Sequence, residues 1–141
     1  MKMLVDINVF EDVIRKRDKW EGSLEILEMV RKNRIEGYIS VLTIPVIYFL
    51  RKMPDKEARE KVRKITRGFE VIDLTSKIAK SAMNDTNFND FEDAIQFHSA
   101  MGECLNVLIT RNKKDFRNVS DQIKILTPEE FLDEIDDKIM E

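Results

Sequence analysis

Four aspartates stand where the chain passes from one kind of segment to another. Asp6 follows the apolar run Lys2–Val5, Asp90 and Asp93 open a helical stretch one turn apart, and Asp115 lies in Thr110-Arg-Asn-Lys-Lys-Asp-Phe116. Carboxylates are hard oxygen ligands that suit Mg²⁺ or Mn²⁺. If they converge, each pair at about 5 Å repels by roughly 3 kcal/mol at an effective dielectric of ~20, a cost that a bound divalent cation removes. Asp6 comes directly after sheet residues, where a carboxylate must be solvated, paired or metal-bound. Asp90, Glu92 and Asp93 have a second reading as charges complementing a helix N-terminus, and for Glu92 that reading stands alone. Asp115 before Phe116 could also be a turn residue.

Other chemistries have less to stand on. His98 is the only histidine. Three residues after Ile95 and three before Met101, it shares the expected inward stripe of its helix, so a hydrogen-bonded packing role is expected. A single cysteine, Cys104, excludes an internal disulfide and a thiolate-built zinc site; its expected place is a half-buried spot near a helix end. The 141 residues are 43% hydrophobic and 36% charged, with a net charge of −3. That describes a compact globule of one domain, 1–141, with no indiscriminate affinity for nucleic acid. No apolar run reaches the length of a bilayer span, and Met1-Lys-Met-Leu-Val-Asp6 lacks a signal-type h-region, so a cytoplasmic location is expected.

The elements that must position the acids follow from periodicity. Lys2 to Val5 reads as a strand, and Asn8 begins a helical pattern in which it caps, with Glu11 as capping-box partner, or serves the site. Trp20 to Asn33 is helical, with Gly37 closing it and a strand Tyr38 to Val41 following. Thr43 is placed to cap a short helix with Pro45 in its first turn. Residues 55–68 form an amphipathic helix ending at Gly68, with Arg59, Arg63 and Arg67 along one edge. A strand at Val71–Leu74, a helix at Ser76–Asn84, and a helix at Asp90–Gly102 with Ala94, Ile95, Phe97 and Met101 inward come next. Strands at Asn106–Ile109 and Lys124–Leu126 complete the sheet, and Thr127-Pro-Glu-Glu130 is a capping box opening the last helix. Strictly alternating strands and helices select a parallel sheet covered on both faces. Ligands in such sheets sit beyond the carboxyl ends of the strands, where these aspartates fall.

Four segments, Leu4-Val-Asp-Ile-Asn-Val-Phe10, Ile39-Ser-Val-Leu-Thr-Ile44, Asp90-Phe-Glu-Asp-Ala-Ile95 and Thr110-Arg-Asn-Lys-Lys-Asp-Phe116, together resemble the PIN domain over nearly the whole chain, closest to the VapC-like branch. The resemblance implies a three-layer α/β/α fold with a central parallel sheet of four to five strands, and a metal-dependent endoribonuclease, the toxin of a toxin–antitoxin pair. By position, Asp6, Asp93 and Asp115 match the family's acids, with Asp90 an extra carboxylate beside them as a metal ligand. Asn8, Asn112 and Thr110 match supporting polar positions. The implied cofactor is Mg²⁺ or Mn²⁺, and the implied partners are RNA, a small antitoxin and a second copy in a homodimer. Lys113, Lys114 and Arg117 are candidates for RNA phosphates, as are Arg59, Arg63 and Arg67, for which a solvated face is the competing reading. Val46 stands where members commonly carry a Glu. That leaves a second function open, a degenerate PIN scaffold that binds RNA or a protein without cutting. A receiver-like phosphoacceptor domain would need an Asp ending the third strand and a Lys after the fifth, and Asp73-Leu74 gives little support for one.

Overall fold

The computed structural model describes the backbone of residues 1–140 and the side chains of residues 1–136. Five strands, β1 (Lys2–Val5), β2 (Glu36–Ser40), β3 (Glu70–Ile72), β4 (Val107–Ile109) and β5 (Lys124–Leu126), form one sheet in the order β3-β2-β1-β4-β5. Every pairing is parallel. Parallel neighbours need crossovers, and six helices lie in them, α1 (Ile7–Arg15), α2 (Trp20–Arg31), α3 (Thr43–Leu50), α4 (Asp55–Ile65), α5 (Ser76–Met83) and α6 (Phe91–Gly102), while α7 (Pro128–Met140) follows the last strand. A 3₁₀ segment, Lys113–Val119, links β4 to β5. The fold is therefore the helix-covered parallel α/β sheet that the alternation implies.

Strand side chains alternate between two cores. Met3, Val5, Ile39, Val107 and Ile109 enter one with Phe10, Ile26, Ile47 and Phe131, while Leu4, Leu108 and Ile125 enter the other with Phe97, Phe116 and Val119. Strands buried on both faces read as continuous apolar runs, which is why β1 and β4 lack a polar alternation. The order of strands reverses at β1: the chain builds outward through β2 and β3, then returns to place β4 on the other side of β1. The crevice beyond β1 and β4 is thus the place in this sheet where ligands are expected.

Several local expectations change. Gly37 lies inside β2 instead of closing α2, because Val30 and Phe69 pack so tightly on it that a Cβ would meet Val30 at 2.6 Å and Phe69 at 2.9 Å. Gly68 does end the α4 region, at φ +91°. Asp6, not Asn8, caps α1, accepting from the Ile7 backbone N–H, since the helix starts at Ile7, two residues earlier than an Asn8 cap requires. Leu42 occupies the cap position of α3 without a side-chain bond, and Thr43 is buried in the first turn. Met101 is 38% exposed because Ala100 takes the inward position at the end of α6. Cys104 is exposed, held at φ +54° in the turn that leaves that helix. The capping box at α7 forms in full, Thr127 N–H donating to Glu130 Oε1 (2.9 Å) and Glu130 N–H to Thr127 Oγ1 (3.1 Å).

Candidate active site

The backbone past β1 stays extended at Asp6, and its N–H donates to the Ile109 carbonyl at 2.9 Å, which carries the ladder one residue beyond the strand. Asp6 is only 3% exposed, yet its carboxylate is well partnered. Oδ1 accepts from the Ile7 N–H (2.8 Å) and from Gln96 Nε2 (3.0 Å), and Oδ2 accepts from Thr110 Oγ1 (2.9 Å). Burial still dominates and pushes its pKa up, although the bonds from Thr110, Gln96 and Ile7 oppose that.

Thr110 joins the ends of β1 and β4. Its hydroxyl also accepts from Asn8 Nδ2 (3.2 Å) and the Asn112 N–H (3.1 Å), while Asn8 Oδ1 accepts from the Arg111 N–H (3.1 Å). Arg111 then reaches back to Asp12, Ser23 and Glu129, tying the loop after β4 to α1, α2 and α7. Asp12, 4% exposed, takes further bonds from Ser23 Oγ (3.0 Å) and Arg17 Nε (3.1 Å). A buried charge so fully paired fixes geometry, and here it fixes the segment that carries Asn112 and Asp115.

Opposite this frame stands the first turn of α6. Asp90 caps it, Oδ1 accepting from the N–H groups of Glu92 (2.8 Å) and Asp93 (3.2 Å). Asp93 is half-buried, and its carboxyl is pushed up to about 7 by burial first and then by the charges of Asp6, Asp90, Asp115 and Glu92. Glu92 is also raised, by burial and then by Asp6, Asp90 and Glu11. Asp6, Asn8, Asp90, Asp93, Asn112 and Asp115 all line one cavity of about 440 Å³. A second cavity, of about 390 Å³, shares Asp90, Asp93 and Asp115 with the first.

Other candidates lie elsewhere. Lys114 and Arg117 line the second cavity, whereas Lys113 is paired with Glu130 at 3.1 Å. Arg59 and Arg63 line neither cavity: they pair within α4 to Asp55 (3.0 Å) and Glu60 (2.9 Å) and line a separate surface hollow. Arg67 lines neither carboxylate cavity. Val46 is half-buried against the apolar core and lines neither cavity either. His98 Nε2 lies 2.8 Å from Asp85 Oδ2, consistent with a hydrogen-bonded packing role.

Sequence reasoning missed Gln96, Glu92, Glu11 and the Arg111–Asp12 pair. Gln96 had a signal, being a wholly polar side chain in an apolar inward stripe three residues after Asp93; it is fully buried. Glu11 had been read only as a capping partner, but it faces the first cavity and pairs with Arg17 at 3.3 Å.

The donor set suits a hard divalent cation, because its carboxylates are oxygen donors and burial followed by their mutual charge pushes the Asp93 carboxyl up to about 7. Among the described residues, no three acidic, histidine or cysteine side chains form a ready-made metal cage. The carboxylates instead face one another around the cleft.

The chain resembles Ribonuclease VapC1 of Aquifex aeolicus (strain VF5), with 26% identity over 136 residues and 92% of each chain covered. Its fold is similar to that of VapBC2 from Rickettsia felis bound to a promoter DNA fragment, at 18% identity and a TM-score of 0.66, covering 89% of this chain and 97% of that one. A toxin–antitoxin complex from Klebsiella pneumoniae matches at 24% identity and a TM-score of 0.65, over 89% and 97%. The PIN domain family model matches residues 2–114. With the switch-point crevice and its aspartates in the expected order along the chain, this match makes the chain a member of the PIN domain family.

Proposed function

We propose that the chain is an endoribonuclease of the VapC kind, dependent on Mg²⁺ or Mn²⁺, and the toxin half of a toxin–antitoxin pair. The observation that carries this reading is the lining of one switch-point cavity by Asp6, Asp93 and Asp115, where burial first and then the neighbouring carboxylates push the Asp93 carboxyl up to about 7. The name of the Aquifex aeolicus relative supports the substrate class. The same reading takes in a cytoplasmic location, a small antitoxin partner and a homodimer.

Asp6, Asp93 and Asp115 would hold the cation, with Asp90 beside them. When bound, such an ion offsets the carboxylate charge, polarises a phosphate and lowers the pKa of a water molecule. The chain's own residues do the rest. Gln96 and Thr110 orient Asp6, Asn8 and Asn112 hold the loop after β4, and Lys114 and Arg117 attract the phosphodiester strand. With its pKa pushed up to about 7, the Asp93 carboxyl is about half protonated at neutral pH in the metal-free protein and would lose that proton more readily with a cation beside it.

Val46 favours a second reading, a PIN scaffold that binds RNA or protein without cleaving, since a carboxylate at that position would add one more negative charge. Thermal unfolding with Mn²⁺, combined with cleavage of generic single-stranded RNA, separates the two. The nuclease reading expects Mn²⁺ to raise the midpoint of the wild type and expects Asp6→Asn and Asp93→Asn to abolish cleavage. Cleavage that survives both substitutions refutes the assignment; a wild type indifferent to Mn²⁺ and inert towards RNA leaves the scaffold.

A further inference from the structure

The two cavities share a ridge of Asp90, Asp93 and Asp115 but differ sharply on either side of it. Beyond the ridge, the first contains Asp6, Glu11, Asp12, Asp18 and Glu92, and its two arginines are already engaged, Arg17 with Glu11 and Asp12, and Arg111 with Asp12 and Glu129. The second contains no carboxylate beyond the shared three. Lys114 and Arg117 face it, and neither is in an ion pair among the described residues. A polyanion is repelled far less on the second side than on the first, and meets Lys114 and Arg117 there.

The second cavity also has carboxamides on a braced loop. Asn87 and Asn89 flank Phe88, whose ring centroid lies 5.5 Å from that of Phe97 and 5.8 Å from that of Phe116. Asn118 Nδ2 donates to the Asn87 carbonyl (3.1 Å), and Asp85 Oδ1 accepts from the Asn87 N–H (3.0 Å). Asp85 is in turn held by His98. Asn89 is exposed and lines the cavity, and its side chain makes no hydrogen bond among the described residues, which leaves its donor and acceptor free for a ligand. A carboxamide presents an adjacent donor and acceptor, a pattern that matches the edges of bases, and single-stranded RNA leaves those edges open.

We propose that this second cavity is the nucleotide subsite of the cleft: it takes the nucleotide adjoining the scissile phosphodiester, with Lys114 and Arg117 on its phosphate and Asn89, assisted by Asn87, on its base edge. The inference rests on the RNA nuclease reading and adds where the strand lies and what selects it. It assigns the His98–Asp85 pair a positioning task, bracing the loop that carries the two carboxamides.

The test measures binding of labelled ten-residue oligo(A), oligo(C), oligo(G) and oligo(U) to the full chain carrying Asp6→Asn, in Mg²⁺, so that the strands stay uncut. The expected parent prefers one base over the poorest by about tenfold or more. Adding Asn89→Ala and then Asn87→Ala should bring the four within about twofold of one another, the Asn89 substitution without moving the melting midpoint. Adding Arg117→Ala should weaken all four alike, by about tenfold at low salt, and reduce the slope of affinity against salt by about one. Base preference that survives both Asn substitutions, or a parent that never discriminates, overturns the subsite while leaving the nuclease reading intact. Affinity and salt slope unmoved by Arg117→Ala also overturn it. A parent that binds none of the four RNAs overturns the subsite and the nuclease reading together.

Discussion

The ends of β1 and β2 lie side by side in the same sheet and have opposite characters. Past β1, Asp6 is buried but receives three hydrogen bonds, and it faces the half-buried Asp93 across the cleft. Past β2, Ser40 and Thr43 satisfy each other at 3.4 Å, and Val46 packs against the apolar core. Neighbouring strand ends therefore need not share a task. One gathers carboxylates at a cost in repulsion, and the other packs an aliphatic side chain.

Removing the charge at β1 has the largest expected effect. Asp6→Asn should lower RNA cleavage by more than about 100-fold, since even outer partners of a metal site are worth ~10–100-fold, and a loss of only a few-fold measured by strand scission contradicts its role. Gln96→Leu leaves Asp6 in place but deletes its buried donor. Calorimetric titration should find Mn²⁺ binding weakened by about tenfold, with Gln96→Asn recovering little because its amide is too short to reach. Equal Mn²⁺ affinity in Gln96→Leu and wild type would show that Asp6 needs no such brace.

Installing charge at β2 tests the comparison from the other side. Val46→Glu should destabilise the metal-free protein by about 1–3 kcal/mol, read as a lower denaturant midpoint, by taking a carboxylate into a half-buried apolar setting. If the ends are as different as they look, Mn²⁺ will recover little of that loss.

The pH dependence of stability is a smaller effect with a definite sign. Asp93 has a folded pKa of about 7, above its unfolded value of 3.8, so its contribution is fully present below 3.8 and is lost as pH rises through about 7. Metal-free protein should therefore gain stability on going from pH 8 to pH 5, and Asp93→Asn should reduce that dependence, part of which the raised Asp6 and Glu92 also carry, and stabilise the protein at pH 8 by about 1–2 kcal/mol once solvent screening is allowed for. A flat profile by thermal melts would argue against crowding. Least of all should change in Arg59→Ala and Arg63→Ala, within about 0.5 kcal/mol in stability and with unchanged cleavage, because their partners are on their own helix.

Much of this was legible in the sequence where a local rule and the global fold agree. The capping box at Thr127, the glycine at 68 and the apolar runs of β1 and β4 each name their element, and the strand-end rule put Asp6 beside Asp115. The signal failed where long-range packing decides. Gly37 looks like a helix stop until Val30 and Phe69 are seen to need its missing Cβ. Glu92 looks like a helix-dipole charge, and only the position of α6 against β1 brings it to Asp6 and Glu11. Arg59 and Arg63 share a basic stripe with nothing in their spacing to say that α4 turns it away from the cleft.

Carbon-13 NMR of labelled aspartate carboxyls, with Asp93 assigned through Asp93→Asn, measures the crowding itself. In the metal-free protein Asp93 should titrate near 7, and Mg²⁺ should move that midpoint well down as the cation offsets its neighbours' charge. A midpoint at the ordinary ~3.9 that ignores Mg²⁺ would contradict the account.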